Sequence, residues 1–246
     1  MKAIILAGGY ATRLHPFTES LPKPLIPIVG KPIIEYIIEN IERCRHIDEI
    51  IISTNKKFEP HFQNWLNSKN FSKKIKIAVE NTTDEKEKLG TIGALNFLIE
   101  KEDLDDCLIV GGDNLFDFEI SDFIEYYMKV KKPVVAVYDI KDLERAKNFG
   151  IVNLDGSKII EFMEKPSNPK TSLIGTCCYV FPQEIIHLIP KYLEEGNPRD
   201  APGHFVSWLI NKEEVHAFII NANWFDIGNV ESLKDANEFF AKKYKI

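Results

Sequence analysis

The chain has 246 residues, 44% hydrophobic and 28% charged, a globular composition long enough for one large domain with its own core. A net charge of −6 excludes a general nucleic-acid or membrane-surface binder, so an anionic ligand must be met by a local basic pocket. No run approaches the ~18 apolar residues of a membrane span, and four cysteines without CxxC spacing fit a reduced, cytoplasmic setting.

The opening KAIILA reads as a buried strand closed by Gly8-Gly9. Pro32 then stands where a first-turn proline belongs, and Ile33, Ile34, Ile37, Ile38 and Ile41 recur at helical spacing. Further strands are expected over 49–54, 74–79, 107–113 and 133–140. Helices are expected near 61–67, over 91–101, and over 122–130 with Ser121 as cap. Continuously apolar strands alternating with helices imply an α/β fold, a Rossmann-like, mostly parallel sheet with helices on both faces. Ligands gather at the carboxyl ends of such strands, where Gly8-Gly9 and Gly111-Gly112-Asp113 both lie.

After residue 140 the rhythm changes. A hairpin turns at Asp155-Gly156. A strand over 174–181, helices over 184–193 and 204–211, a strand over 215–220 and a last helix over 230–243 follow. With no linker and no repeat, residues 1–246 read as one domain whose second half, 141–246, is a substrate-facing lobe on the first, 1–140. Cys177 and Cys178, adjacent on a strand, must face opposite sides. Trp65 and Trp208 read as core, and the run 84–89 as a solvated loop.

GGYATRL is neither a Walker A loop nor a G-x-G-x-x-G fingerprint. Its physics is still that of phosphate binding, because glycines let consecutive backbone N–H groups face an anion. Arg13 adds a planar fork of donors, and Lys23 a point charge fixed between Pro22 and Pro24.

LAGGYATRL followed by LPKPLIPI resembles the opening of the sugar-1-phosphate nucleotidylyltransferases. LGTIGAL (89–95), GGDNLF (111–116), EKP (164–166) and WFDIG (224–228) resemble that family's later landmarks, in order and across nearly the whole chain. Ala11 departs from the family's usual glycine. The resemblance implies the fold of the nucleotide-diphospho-sugar transferases and transfer of a nucleotidyl group from a nucleoside triphosphate to a sugar 1-phosphate, with Mg²⁺ as cofactor. It implies nucleotide binding by Leu6, Ala7, Gly8, Gly9, Arg13, Lys23, Glu80, Leu89, Gly90 and Asp113. Arg13, Lys23 and Asp113 would carry catalysis, Asp113 and Asp226 the metal, and Gly150, Glu164 and Lys165 the sugar phosphate. The hexapeptide-repeat β-helix that follows this domain in many relatives is not expected, because no such repeat is present.

The attacking phosphate is already mostly dianionic near neutral pH, so no general base is required. The base stays open. A carboxylate at Glu80 only accepts and suits guanine, whereas relatives for uracil or thymine typically carry glutamine there. Two other readings stand beside this one. A cytidylyltransferase for a phosphorylated alcohol such as phosphocholine would build an aromatic cage, for which Phe162, Tyr179, Trp208 and Trp224 are candidates. A non-catalytic regulatory relative would normally have lost Lys23, Asp113 or Asp226. Partners are small molecules, not nucleic acid or membrane; a homo-oligomer is compatible with the sequence, which does not fix the oligomeric state.

Overall fold

The structure is a computed structural model and describes residues 1–10 and 21–245. The expectations placed on Ala11 and Arg13 fall outside these residues. Four strands form the parallel part of the sheet: β1 (Lys2–Leu6), β4 (Glu49–Asn55), β5 (Lys74–Glu80) and β6 (Cys107–Gly111), in the order β5-β4-β1-β6. Their continuous apolar runs are explained by burial on both faces. Ile4, Ile51 and Ile109 enter one core, while Ala3, Ile5, Ile50, Ile52, Leu108 and Val110 enter the other.

Helices cover both cores. α1 (Ile33–Glu42), α2 (Glu59–Asn67), α4 (Ile120–Val130) and α9 (Val230–Tyr244) supply the second core, and α3 (Gly90–Lys101) supplies the first. A short ribbon of β2 (Pro27–Ile28) and β3 (Lys31–Pro32) leads into α1. Ser121 does not cap α4. The helix begins two residues earlier than expected, at Ile120, and the Ile120 N–H donates to Asn40 Oδ1 at 3.0 Å, a cap supplied from α1.

Beyond β6 the sheet is mixed. β11 (Leu173–Phe181) lies antiparallel between β6 and β8 (Val134–Asp139), and β12 (His216–Ile219) runs parallel to β8. The hairpin of β9 (Gly150–Asp155) and β10 (Lys158–Glu164) completes a nine-stranded sheet. Its turn sits one residue later than expected. Asp155 pairs with Lys158, leaving Gly156 (φ 59°) and Ser157 at the corner. The helix expected over 184–193 is two, α6 (Gln183–Ile186) and α7 (Ile189–Glu194), because Pro190 has no N–H to continue the first. α5 (Leu143–Ala146), capped by Asp142, and α8 (Pro202–Leu209) complete the described helices. No helix among the described residues is long and apolar enough to cross a membrane.

Candidate active site

The strand order β5-β4-β1-β6 puts a topological switch between β1 and β6, where an open sheet forms a crevice. A cleft of about 920 Å³ opens there. Leu6, Ala7, Gly8, Gly9, Lys23, Glu80, Gly90, Asp113, Gly150, Glu164, Lys165 and Asp226 all line it. Leu89 does not; it stands just before α3, and its Cβ would be 3.1 Å from a Cβ at Gly93.

The floor is assembled by contacts between distant segments. Lys23 opens a single 3₁₀ turn, Lys23–Leu25, which begins after the extended Pro22. Pro24 packs on Gly112 so closely that a Cβ there would stand 2.8 Å from the proline ring and 2.9 Å from Leu6 O. Gly112 N donates to that same Leu6 oxygen at 2.9 Å, tying the ends of β1 and β6 together. This packing sets Lys23 Nζ 2.7 Å from Asp113 Oδ2. Burial alone would push the Asp113 pKa up, but the charge and hydrogen bond of Lys23, with help from Asn114, hold it below the ordinary carboxylate range.

Asp226 arrives by strand pairing. β7 (Asn114–Phe116) and β13 (Trp224–Asp226) form an antiparallel ribbon with Asp226 opposite Asn114. Ile227 N donates to Asp113 O at 3.0 Å. Within the ribbon, Trp224 Nε1 donates to Asn114 Oδ1 at 2.8 Å, and Asn114 Nδ2 donates to Asp113 Oδ1 at 3.0 Å. Two aspartates 113 residues apart in sequence are thus brought to one end of the cleft. Cys177 lies against the same floor. Burial pushes its thiol pKa well up, and the charges of Asp113, Asp226 and Glu164 add to the rise. Cys178 faces the opposite core, as alternation requires.

One wall carries Glu80 at the end of β5. It is 4% exposed, and its Oε1 lies 3.3 Å from where a Cβ at Gly8 would stand. Burial raises its pKa to about 7; the Ser53 hydroxyl pulls the other way without completing a hydrogen bond. The segment 84–88 above it is an exposed 3₁₀ turn capped by Asp84.

The opposite wall pairs Glu164 directly with Gly150 across the β9–β10 hairpin. Burial raises the Glu164 pKa, with Lys165 and His204 opposing and Asp200 adding to it. Lys165 adopts φ 47°, an unfavourable backbone for a non-glycine residue, and its Nζ is 3.9 Å from Glu164 Oε1. Phe162 stands behind Gly150, where a Cβ would fall 2.4 Å from the ring.

Several cleft residues escaped the sequence reading. A Cβ at Gly203 would meet Glu164 Oε2 at 2.0 Å and Phe162 at 2.5 Å, and one at Gly175 would meet Phe162 at 2.6 Å. Lys88 and Asp200 pair at 2.7 Å, and Ile92 N donates to Arg199 O at 2.8 Å, so the two walls are clasped. No local pattern in 198–203 announces this. Of the four aromatics considered for a cage, Phe162, Tyr179 and Trp224 line the cleft, whereas Trp208 stacks on Phe205 and meets Tyr192 edge-on outside it.

Two carboxylates, one held ionised by a lysine, are hard oxygen donors and leave most of a coordination sphere to water and substrate oxygens. That is what Mg²⁺ prefers. No cluster of three or more His, Cys, Asp or Glu suited to a metal occurs among the described residues.

Comparison with known proteins gives one consistent family. The model for nucleotidyl transferases matches residues 2–243. A bifunctional protein GlmU from Methanocaldococcus jannaschii is 36% identical over 246 residues, covering 99% of this chain and 55% of that protein. A Sulfolobus acidocaldarius protein assigned as a mannose-1-phosphate guanyltransferase is 30% identical, covering 93% of this chain and 60% of its own length. The chain therefore spans little more than half the length of these relatives. A Bacillus anthracis structure assigned as a glucose-1-phosphate thymidylyltransferase superposes with a TM-score of 0.84 at 27% identity, over 97% of this chain and 94% of that one.

Proposed function

This chain belongs to the nucleotidyl transferase family, and on that premise we propose that it transfers a nucleotidyl group from a nucleoside triphosphate to a sugar 1-phosphate, releasing pyrophosphate. One observation carries the reading: Lys23, Asp113 and Asp226 meet at the floor of a cleft, with Gly8, Gly9 and Glu80 on one wall and Gly150, Glu164 and Lys165 on the other. We read 1–246 as one domain divided accordingly, with a nucleotide half 1–140 and a sugar-phosphate half 141–246.

The chemistry requires two anions to be aligned against their repulsion, with an oxygen of the sugar phosphate in line with the departing pyrophosphate. The backbone N–H groups of Gly8 and Gly9 suit the triphosphate, and Lys23 the α-phosphate region. Lys165 is half-exposed and suits the sugar phosphate, while Glu164 accepts from sugar hydroxyls. Asp113 and Asp226 are the residues that would hold Mg²⁺, and the cation would neutralise charge on the reacting phosphate oxygens. Trp224 and Asn114 hold Asp113 in position from behind.

A matrix of GTP, UTP, dTTP, CTP and ATP against several sugar 1-phosphates, with pyrophosphate release as readout and Mg²⁺ present or withheld, tests the reading. Release that depends on both substrates and on the metal supports it. Release from CTP with phosphocholine as acceptor, and with no sugar 1-phosphate, would move the assignment to a phosphorylated alcohol.

A further inference from the structure

Glu80 is the one buried acid of the cleft among the described residues. Asp113 and Asp200 each pair with a lysine at 2.7 Å, and Glu164 lies 3.9 Å from one. Glu80 has no cation partner among the described residues, although it is almost fully buried. The groups around it are polar and uncharged. The Tyr10 phenol comes from the glycine turn, Ser53 and Asn55 from β4, and Thr82 from the segment after β5, while Asp84 and Glu87 of that segment act on Tyr10. Asn55 is spent on Gly8 O at 2.9 Å. The nearby cations are engaged elsewhere, Lys88 with Asp200 and Lys57 over the rings of Tyr10 and Phe58. Lys56 meets Glu80 through the backbone, and Lys86 lies on the exposed turn 85–87. From α3 the wall is uncharged: Gly90, Thr91 and Ala94. Arg13, His15 and Glu19 lie outside the described residues. Three buried hydroxyls here, of Tyr10, Ser53 and Thr82, complete no hydrogen bond among the described residues. Tyr10 and Ser53 line the cleft beside Glu80, so this wall has polar groups with unspent hydrogen-bonding capacity.

We propose that Glu80 reads the nucleotide base in two protonation states, so that the choice between guanine and uracil or thymine is set by pH. This rests on the nucleotidyl-transfer reading above. The ionised carboxylate offers two acceptors, which match the adjacent N1–H and N2–H donors of guanine. The neutral carboxyl offers one acceptor and one O–H donor. Those match the N3–H and O4 of uracil or thymine, as an amide would. An unpaired buried carboxylate is costly, so both forms are accessible near neutrality, where this group titrates. The wrong form leaves a buried donor or acceptor unmatched, which is the situation that gives large discrimination.

The size follows from the titration. Apparent affinity scales with the fraction in the competent form, about one tenth at one pH unit from a midpoint of about 7 and about nine tenths on the other side. Between pH 6 and pH 8, GTP binding should strengthen about tenfold and UTP binding weaken about tenfold, a roughly 100-fold change in their ratio. Protonation of the triphosphate itself cancels in that ratio.

Equilibrium binding of GTP and UTP to the full chain at pH 6, 7 and 8, with Mg²⁺ and without sugar phosphate, is the test. Calorimetry in buffers of different ionisation heat should register proton release with GTP and proton uptake with UTP at pH 7. In Glu80→Gln the ratio should lose its pH dependence and favour UTP. A wild-type ratio that is flat with pH would overturn the proposal while leaving nucleotidyl transfer intact, as would an equal slope in the variant. Binding of no nucleoside triphosphate at any pH would overturn both readings.

Discussion

Gly203→Ala tests whether the wall proposed for the sugar phosphate is built as described. The new methyl would stand 2.0 Å from Glu164 Oε2 and 2.5 Å from a Phe162 ring carbon. The carboxylate is the end of a flexible chain and can swing away. The ring cannot, because it is 3% exposed and already abuts Gly150 and Gly175. Overpacking of this kind costs about 2–3 kcal/mol, which for a domain of this size lowers Tm by roughly 4–12 °C. Displacing Glu164 should also raise the KM for sugar 1-phosphate, with nucleotide affinity unchanged. The double change Gly203→Ala with Phe162→Leu should recover part of the lost Tm by returning volume to the added methyl, without restoring KM. Differential scanning calorimetry and initial-rate kinetics read both effects. An unchanged Tm and KM in the single variant would refute the packing argument.

Asp113→Asn and Asp226→Asn should each reduce pyrophosphate release by at least about 10²-fold with an unaltered circular dichroism spectrum; undiminished release would remove the metal assignment. Lys165→Ala should raise the KM for sugar 1-phosphate roughly 10–100-fold, the worth of a charged hydrogen bond. Arg13→Ala should weaken nucleotide binding instead, and loss of nucleotide affinity alone in both variants would contradict the two-wall division. Val29 holds φ 49° in the β2–β3 turn, its N–H donating to Asn237 Oδ1 at 2.9 Å. Asparagine tolerates that backbone far better than a β-branched residue, so Val29→Asn should gain about 1 kcal/mol and roughly 2–4 °C in Tm; a lower Tm would show that the Val29 side chain contributes more than its backbone strain costs.

What could be read in advance was whatever leaves a local mark. Burial on both faces makes a strand continuously apolar, so KAIIL, EIIIS and CLIVG were legible, and so were the glycines at their carboxyl ends. Strand direction leaves no such mark. The second half of LIGTCCYVF is as fully buried as its neighbours, yet the strand runs against both β6 and β8. The cap of α4 was misplaced for a related reason: Ser121 is a good capping residue by type, but the free Ile120 N–H is satisfied by Asn40, 80 positions away. The site divides in the same manner. The charged cleft residues Lys23, Asp113, Glu164, Lys165 and Asp226 stand out only through the motifs that resemble a family's landmarks; taken singly, each reads as an ordinary turn, cap or surface charge. The residues that hold them do not stand out. Gly150, Gly175 and Gly203 come from β9, β11 and α8 and share only the ring of Phe162, which no window of sequence contains. The pairing of Asn114 with Trp224 spans 110 positions and becomes visible only once β7 and β13 are side by side. Motif resemblance thus points to charged groups that line the cleft, whereas the distances between them belong to long-range packing, and it is there that a substitution such as Gly203→Ala acts.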